Sequence, residues 1–256
     1  MKIAVCIKQV VTRDWPLRVD DTERWVRDVD AGFEMNEPDA YALEEALRLK
    51  EQSGGEVIVC AAGPARVLQV LREALARGAD RAIHVESDSL ATADSLKLAQ
   101  ALAEALRAEE PDLILTGLQS DDQGFGQTGV VLAELLGIVH STIIMEVKLD
   151  SNRKNEIRVK RELEAGWFQW ITIPTPALLT IQSGINQLRY ATLKGIMAAK
   201  KKEIRKVVAD SSLEPTMEIS KIYVPIKSKK TRFIEGPPSQ AAEELVRILR
   251  DEARVF

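Results

Sequence analysis

The residues best suited to chemistry form a polar, glycine-rich segment between a buried strand and a helix. The segment reads Leu118-Gln-Ser-Asp-Asp-Gln-Gly-Phe-Gly-Gln-Thr-Gly129; it follows the apolar run 112–117 and leads into a helix that begins near Gln127. Open α/β sheets present backbone N–H groups to nucleotides at strand-to-helix turns of this kind. Nucleotide binding is therefore the first hypothesis.

The end of this segment predicts a seat for one phosphate. Gly124, Gly126 and Gly129 allow close backbone approach, while Gln127 and Thr128 place an amide and a hydroxyl at the start of the helix. Small residues and a helix start together favour an anionic ligand.

Two familiar nucleotide motifs are not found where the strand ends. It contains no Gly-x-x-x-x-Gly-Lys-Ser/Thr, and no Gly-x-Gly-x-x-Gly stands directly at the end of the strand, because the glycines of Gly124-Phe-Gly-Gln-Thr-Gly129 begin seven residues after Gly117. The segment therefore lacks the phosphate-binding lysine and a dinucleotide fingerprint in its usual place. Asp121 and Asp122 would repel a phosphate, and we expect them to accept hydrogen bonds from ribose hydroxyls or to cap the turn. The pattern favours holding a nucleotide over cleaving one, and a polar loop that only caps its helix is the alternative.

The composition argues against several classes of function. The 256 residues are 45% hydrophobic and 29% charged with a formal net charge of -4, which gives no field that would gather nucleic acid. Cys6 and Cys60 lie in apolar runs without a Cys-x-x-Cys pair, so we expect buried free thiols. Only His84 and His140 are present, and no metal site and no catalytic residue is predicted.

The distribution of apolar residues predicts a cytoplasmic protein. The first apolar run is too short for a signal peptide. No run of 18 apolar residues occurs elsewhere, so we expect no insertion into a membrane.

Alternating strands and helices predict a doubly wound, mostly parallel α/β sheet in the first part of the chain. The predicted strands are 2–7, 57–61, 82–85 and 113–116, and the predicted helices are 36–52, capped by Asn36, then 65–77 and 92–108.

The pattern changes after Gly137. Residues 141–149 and 156–163 flank a polar turn and predict an antiparallel hairpin, and strands are expected at 167–173 and 177–181. We divide the chain into a nucleotide-binding domain, residues 1–202, and an extended arm, residues 203–256, with a helix at about 238–252. The arm is expected to dock on another surface, although its helix could equally pack on its own domain.

A second unusual stretch covers residues 189–202. Tyr190, Leu193, Ile196 and Met197 have helical spacing, but Gly195 is expected to interrupt the helix, and a basic run follows. Such a stretch is either a solvated face or a surface for a partner.

Separate motifs in this chain resemble those of the electron transfer flavoprotein β subunit. They are Arg189-Tyr-Ala-Thr-Leu193 with Ile196, Met197 and Lys200-Lys-Lys202, Pro176-Ala-Leu-Leu-Thr180, and Gln127-Thr-Gly129. Lys8-Gln-Val10, residues 36–51 and residues 159–164 are also similar to the family, so the resemblance extends over nearly the whole chain.

The resemblance implies a fold, cofactors and partners. The fold would be adenine nucleotide α-hydrolase-like, and the chain would pair with an electron transfer flavoprotein α subunit that carries most of the FAD contacts. The β subunit would hold a structural AMP. Electrons would pass from acyl-CoA dehydrogenases, or similar flavin dehydrogenases, to a quinone oxidoreductase without turnover by this chain.

The resemblance also implies the site residues. AMP would contact Cys6, Asn36, Glu37, Pro38, Asp39, Ala62, Gly117, Gln119, Asp121, Asp122, Gln123, Gly124, Phe125, Gly126, Gln127 and Thr128. The dehydrogenase would dock on a recognition loop, 189–198, with Leu193 as the apolar anchor; the named docking residues are Arg189, Tyr190, Ala191, Thr192, Leu193, Lys194, Gly195, Ile196 and Met197. Glu162 would match a carboxylate that helps to release the flavin domain.

Some residues depart from the family pattern. Gly126 replaces an asparagine and Gly124 an acid, Arg13 stands where some relatives place a tyrosine, and Ala198 replaces a lysine. Electron-bifurcating relatives, which bind a second FAD in place of AMP, generally lack the Gln-Thr-Gly ending. That function stays an alternative, as does a stand-alone ATP-binding protein similar to universal stress proteins.

Overall fold

The computed structural model describes residues 1–150, 153, 155–210, 212, 214–225 and 231–255. The chain divides into two compact units, Met1–Ile222 and Tyr223–Phe256. No helix within the described residues is long and apolar enough to cross a bilayer.

The first unit is built on a nine-stranded sheet. Its strands, numbered in chain order, are β1 Lys2–Cys6, β4 Glu56–Gly63, β5 Arg81–Glu86, β6 Leu113–Gly117, β7 Val139–Leu149, β8 Glu156–Glu162, β9 Phe168–Pro174, β10 Ala177–Ile181 and β11 Ile204–Val208. They lie in the order β11-β5-β4-β1-β6-β10-β7-β8-β9. All pairs from β11 to β7 are parallel, and β8 and β9 add antiparallel strands at one end.

Helices cover both faces of the parallel strands. They are α1 Glu37–Ser53, α2 Leu68–Arg77, α3 Ser95–Arg107, α4 Thr128–Leu136 and α5 Leu193–Ala199. Because side chains alternate along a strand, Val5 and Leu115 belong to the core cluster that contains α1 and α2, whereas Ala4 and Ile114 pack with α3 and α4. The predicted doubly wound α/β fold is confirmed.

The antiparallel hairpin is also confirmed, since β7 pairs with β8 in register from Glu146 to Leu149, with a shift of register between Ile144 and Glu146. In its predicted turn, residues 151, 152 and 154 lie outside the described residues. Cys6 and Cys60 are buried and free, as expected.

Three features differ from the sequence predictions. Residues 204–208, assigned to the arm, form β11 and pair with β5, so the first compact unit runs to Ile222. A small sheet of β2 Gln9–Val11 and β3 Phe33–Met35 was not predicted. The third helix begins at Ser95 instead of residue 92, because Asp94 accepts a hydrogen bond from the Lys97 N–H at 2.8 Å and caps the helix there.

The second unit contains a helix where one was predicted. This helix, α6 Pro238–Arg247, continues as a π-helical turn at Ile248–Glu252. Arg232 and Arg247 pair with Glu244 and Glu252, and Leu245 and Val246 are exposed. Docking of this unit on a partner stays a prediction.

Candidate nucleotide cleft and docking surface

A cleft opens at the carboxyl ends of the parallel strands. It lies where β1 is flanked by β4 on one side and β6 on the other, the point at which the direction of chain winding reverses. Open α/β sheets bind ligands in the crevice at such a switch point. The space in the cleft is about 690 Å³ when its open mouth is included.

Most of the residues expected to contact AMP line this cleft. They are Cys6, Asn36, Asp39, Ala62, Gly117, Gln119, Gln123, Phe125, Gly126, Gln127 and Thr128. The lining does not include Glu37, Pro38, Asp121, Asp122 or Gly124. It does include residues that the sequence analysis missed, among them Lys8 after β1 and Ala93, Ser95 and Leu98 around the start of α3.

Two glycines permit close packing around the cleft. A Cβ on Gly117 would lie 2.4 Å from Oδ1 of Asp39, and one on Gly129 would lie 2.7 Å from Oγ1 of Thr116. No other residue fits these positions without a shift of the surroundings. Gly124 and Gly126 are glycines for a different reason, since their φ angles are +65° and +64°.

Asp39 joins the ends of the two strands that flank the cleft. Its buried carboxylate accepts the Lys8 N–H at 2.7 Å after β1 and the Gly117 N–H at 2.8 Å in β6. Burial raises the pKa of Asp39 to about 7, against the lowering effect of these two backbone donors, Asn36 and the charge of Lys8. The carboxyl group that sets the geometry of the cleft therefore titrates near neutral pH.

Asn36 fastens the loop instead of capping α1. Its Nδ2 donates to the Gln119 carbonyl at 3.0 Å, and its Oδ1 accepts from the Asp121 N–H at 2.9 Å. The residue occupies the cap position of α1, but its side chain makes no capping bond. The prediction of a side-chain cap is wrong because the loop offers this amide both a donor and an acceptor.

The two loop acids are engaged by cations. Lys8 Nζ lies 2.7 Å from Oδ1 of Asp122 and also donates to Oε1 of Gln123 at 3.0 Å. Burial opposes ionisation of Asp122, but Lys8 and nearby donors hold its pKa below the usual range. Arg13 pairs with Asp121 at 3.2 Å. The carboxylates thus hold the loop in place, and contact of either with a ribose stays a prediction.

The last part of the loop leads into α4. This helix begins at Thr128, and the side chain of Gln127, at its N-cap position, makes no capping hydrogen bond. Uncapped N–H groups at a helix start are free to bind an anion.

The stretch 189–198 is anchored at its start by ion pairs. The Arg189 guanidinium lies 2.8 Å from Oε2 of Glu44 and 2.6 Å from Oε1 of Glu51, both on α1. Burial opposes ionisation of Glu44, but Arg189 and Arg48 hold its pKa below the usual range. Such a bidentate pair fixes the direction of the chain.

The end of this stretch is anchored on α2. Arg72 donates to the carbonyls of Ala199 at 2.6 Å and Lys202 at 2.9 Å. The prediction that Gly195 interrupts the helix is wrong, because α5 runs through it from Leu193 to Ala199. A Cβ at this position would lie 2.3 Å from the Ala76 carbonyl oxygen. The glycine is needed because α5 packs directly on the backbone of α2.

Between these anchors the chain exposes a docking patch, defined here as Tyr190, Leu193, Ile196 and Met197. These side chains are 88%, 78%, 45% and 58% exposed. Thr192 caps α5 by accepting the Gly195 N–H at 3.0 Å. An exposed apolar patch on a fixed backbone is typical of a protein interaction site.

Glu162 lies apart from the docking patch. It ends β8, far along the sheet from α5, and accepts a long hydrogen bond of 3.4 Å from Gln182. The remaining residues of the stretch, Ala191 and Lys194, lie beside the docking patch in sequence.

The cleft and the docking patch lie at opposite ends of the parallel strands. The cleft is formed where β1, β4 and β6 end. The helix α2 starts after the carboxyl end of β4 and finishes just before β5 begins. Ala76, near its last turn, therefore lies at the amino ends of the strands. Since Gly195 packs against Ala76, the cleft and the docking patch are separate.

These features define an α/β protein with a cleft at the carboxyl ends of its parallel strands and, apart from it, an exposed apolar patch. The family model described as "Electron transfer flavoprotein domain" matches residues 25–212. The chain belongs to the electron transfer flavoprotein family and, by its full-length relatives, to the β subunits. It is 36% identical to the β subunit of Methylophilus methylotrophus over 98% of both chains, and 35% identical to that of Bacillus subtilis over 93% of this chain and 90% of the relative. The mitochondrial β subunit of Arabidopsis thaliana is 36% identical over the full length of both.

Proposed function

We propose that this chain is the β subunit of a heterodimeric electron transfer flavoprotein, with a structural AMP in the cleft. An α subunit carries most of the FAD contacts, an acyl-CoA-type dehydrogenase docks on Leu193 and its neighbours, and a quinone oxidoreductase accepts the electrons. Family membership supports the heterodimer, and a cytoplasmic location stays a prediction from the sequence. The observation that carries the assignment of roles is the separation of the cleft from the docking patch.

The cleft suits a ligand that is held and not converted. Asp39, Asn36 and Lys8 all use their polar atoms to fix the loop, so each has a structural role in the cleft. Gln127 and Thr128 would hold the phosphate of AMP at the start of α4. The tight packing at Gly117 and Gly129 fits a preformed seat.

The docking patch suits reversible capture of a partner. Bound FAD supplies the electron-transfer chemistry; the β subunit supplies a rigid support and an apolar anchor. Because Arg189 and Arg72 hold both ends of the stretch, little conformational entropy is lost when the patch is buried.

The titration of Asp39 predicts a pH-dependent affinity for AMP. Only the ionised carboxylate offers both oxygens as acceptors to the Lys8 and Gly117 N–H groups. We expect the affinity to fall by about tenfold from pH 8 to pH 6, since a group of pKa near 7 is roughly one-tenth ionised at pH 6. Calorimetric titration of AMP across this range measures the effect.

The stability of the chain should change in the opposite direction. The pKa of Asp39 is raised from 3.8 to about 7 on folding, so the folded chain binds this proton more tightly, and stability is lost as pH rises from about 4 to about 7. Asp39→Asn serves as the control, because the phosphate of AMP itself titrates near pH 6 in both proteins. If the affinity for AMP changed with pH to the same extent in the wild type and in Asp39→Asn, the role of Asp39 would be contradicted.

Co-expression tests the proposed function. We expect the chain to purify as a yellow one-to-one complex with the α subunit from the same organism. A colourless, stable homo-oligomer that binds ATP would instead support the stand-alone nucleotide-binding protein.

A further inference from the structure

One arginine on the sheet has a partly buried charge without a matching acid. Arg161 lies in β8, where its Nε is buried and has no hydrogen-bond partner in the described part of the chain. Its Nη2 makes a long contact, 3.4 Å, with Oγ1 of Thr142. Among the residues that the structure describes, no carboxylate forms an ion pair with Arg161. By contrast, the partly buried Arg81 and Arg189 each form ion pairs with two carboxylates.

This arrangement is unfavourable for an isolated chain. Removing a guanidinium N–H from water without a hydrogen bond costs free energy, and an unpaired charge costs more than a neutral group. Unsatisfied buried polar groups are rare in native proteins and usually mark a missing partner or ion. The planar fork of arginine fits a carboxylate through two parallel hydrogen bonds.

The position of Arg161 shows which partner is suited to supply that carboxylate. Arg161 is absent from the lining of the nucleotide cleft, and β8 is three strands from β6 in the sheet, about 14 Å at the usual strand spacing. The docking patch is further away: α5 packs on α2, which packs on β4 and β5, and β4 is five strands from β8, or about 24 Å. Arg161 is paired with Ile144, which lies level with Ile181 and Gly117 at the carboxyl ends of β10 and β6, whereas the docking patch lies at the amino ends of the parallel strands. Arg161 is therefore outside the cleft and faces away from a partner centred on Leu193.

We propose that Arg161 is a receptor for a carboxylate side chain of the α subunit. The inference rests on the proposed function, because it requires the heterodimer. The incoming carboxylate accepts hydrogen bonds from the Arg161 guanidinium and removes the cost of its partial burial. The contact makes the heterodimer more stable than the separate subunits without any role in electron transfer.

Two measurements on the same variants test this proposal. Arg161→Met keeps the length of the side chain and removes the charge, and Arg161→Lys keeps the charge and removes the planar fork. Arg158→Gln is the matched control, since Arg158 is on the same strand but is exposed and lies over the ring of Trp170 at 4.8 Å. The thermal midpoint of the isolated chain and its affinity for the purified α subunit are measured for each, the latter at low and high salt.

We expect the removal of the Arg161 charge to affect the stability of the isolated chain and its affinity for the α subunit in different directions. Arg161→Met should leave the thermal midpoint of the isolated chain unchanged or raise it, yet weaken binding of the α subunit at least tenfold and reduce its salt dependence. Arg161→Lys should restore part of the affinity, and Arg158→Gln should stay within about twofold of wild type, as exposed charges usually do. A fall in the midpoint with unchanged α-subunit affinity would assign Arg161 an internal structural role and overturn the proposal. If the wild-type chain bound no α subunit, the proposed function itself would fail.

Discussion

Leu193→Ala is expected to slow electron transfer from the dehydrogenase by roughly 10- to 150-fold at subsaturating partner while leaving the flavin content of the heterodimer unchanged. The estimate follows from losing a side chain that contributes about 1.5–3 kcal/mol when it is buried at an interface. Leu193 is at the first position of α5 and is largely exposed in this chain. Its truncation therefore removes nothing from the core, and the thermal midpoint should not change.

Stopped-flow reduction of the heterodimer by its dehydrogenase measures this effect. Val208→Ala is a suitable control, because Val208 is 76% exposed at the far end of β11. Transfer that is unaffected by Leu193→Ala, or that disappears at modest salt in both variants, would show that the basic residues and not the apolar anchor hold the dehydrogenase.

Gly117→Ala should have the largest effect on the cleft. A Cβ would lie 2.4 Å from Oδ1 and 2.8 Å from the backbone nitrogen of Asp39, so either β6 or the first turn of α1 must move. Overpacking of this kind typically costs about 1–3 kcal/mol of stability. We expect AMP to be lost from the purified protein, because the loop begins at this residue.

Gly137→Ala separates this effect from ordinary backbone strain. Gly137 follows α4 with a φ of +68° and has open space around it, so alanine there costs about 1–2 kcal/mol without reaching the cleft. Thermal unfolding with and without AMP should show a nucleotide-dependent shift for Gly137→Ala and none for Gly117→Ala. A normal shift for Gly117→Ala would mean that the contact with Asp39 does not shape the cleft.

The sequence predicted those parts of the fold and of the candidate site that are encoded locally. The run 113–117, the glycines after it and the helix start at Thr128 are read from neighbouring residues, because burial, turn chemistry and capping act over a few positions. The alternation of strands and helices then placed this loop at the carboxyl edge of the sheet.

The contacts that fix the site come from distant parts of the chain. Lys8 reaches Asp122, and Asn36 reaches Gln119 and Asp121, across separations that no local pattern reports. For the contact between Lys8 and Asp122, the sequence offered only a lysine directly after the first strand, which is a weak indication.

Two misinterpretations have the same physical origin. Gly195 looked like a helix breaker because its propensity is poor, but the close approach of α2 decides its role. Residues 204–208 looked like part of an arm because Arg205 and Lys206 interrupt the apolar pattern. An edge strand that pairs with β5 tolerates both residues, since Arg205 forms an ion pair with Glu109 and Lys206 forms one with Glu86.

The nucleotide content of the purified heterodimer tests the central claim most directly. Denaturing extraction followed by chromatography should yield one AMP and one FAD per heterodimer, and Gly117→Ala should lose the AMP but keep the FAD. Two FAD molecules per heterodimer would contradict the assignment of a structural AMP and would instead establish an electron-bifurcating flavoprotein.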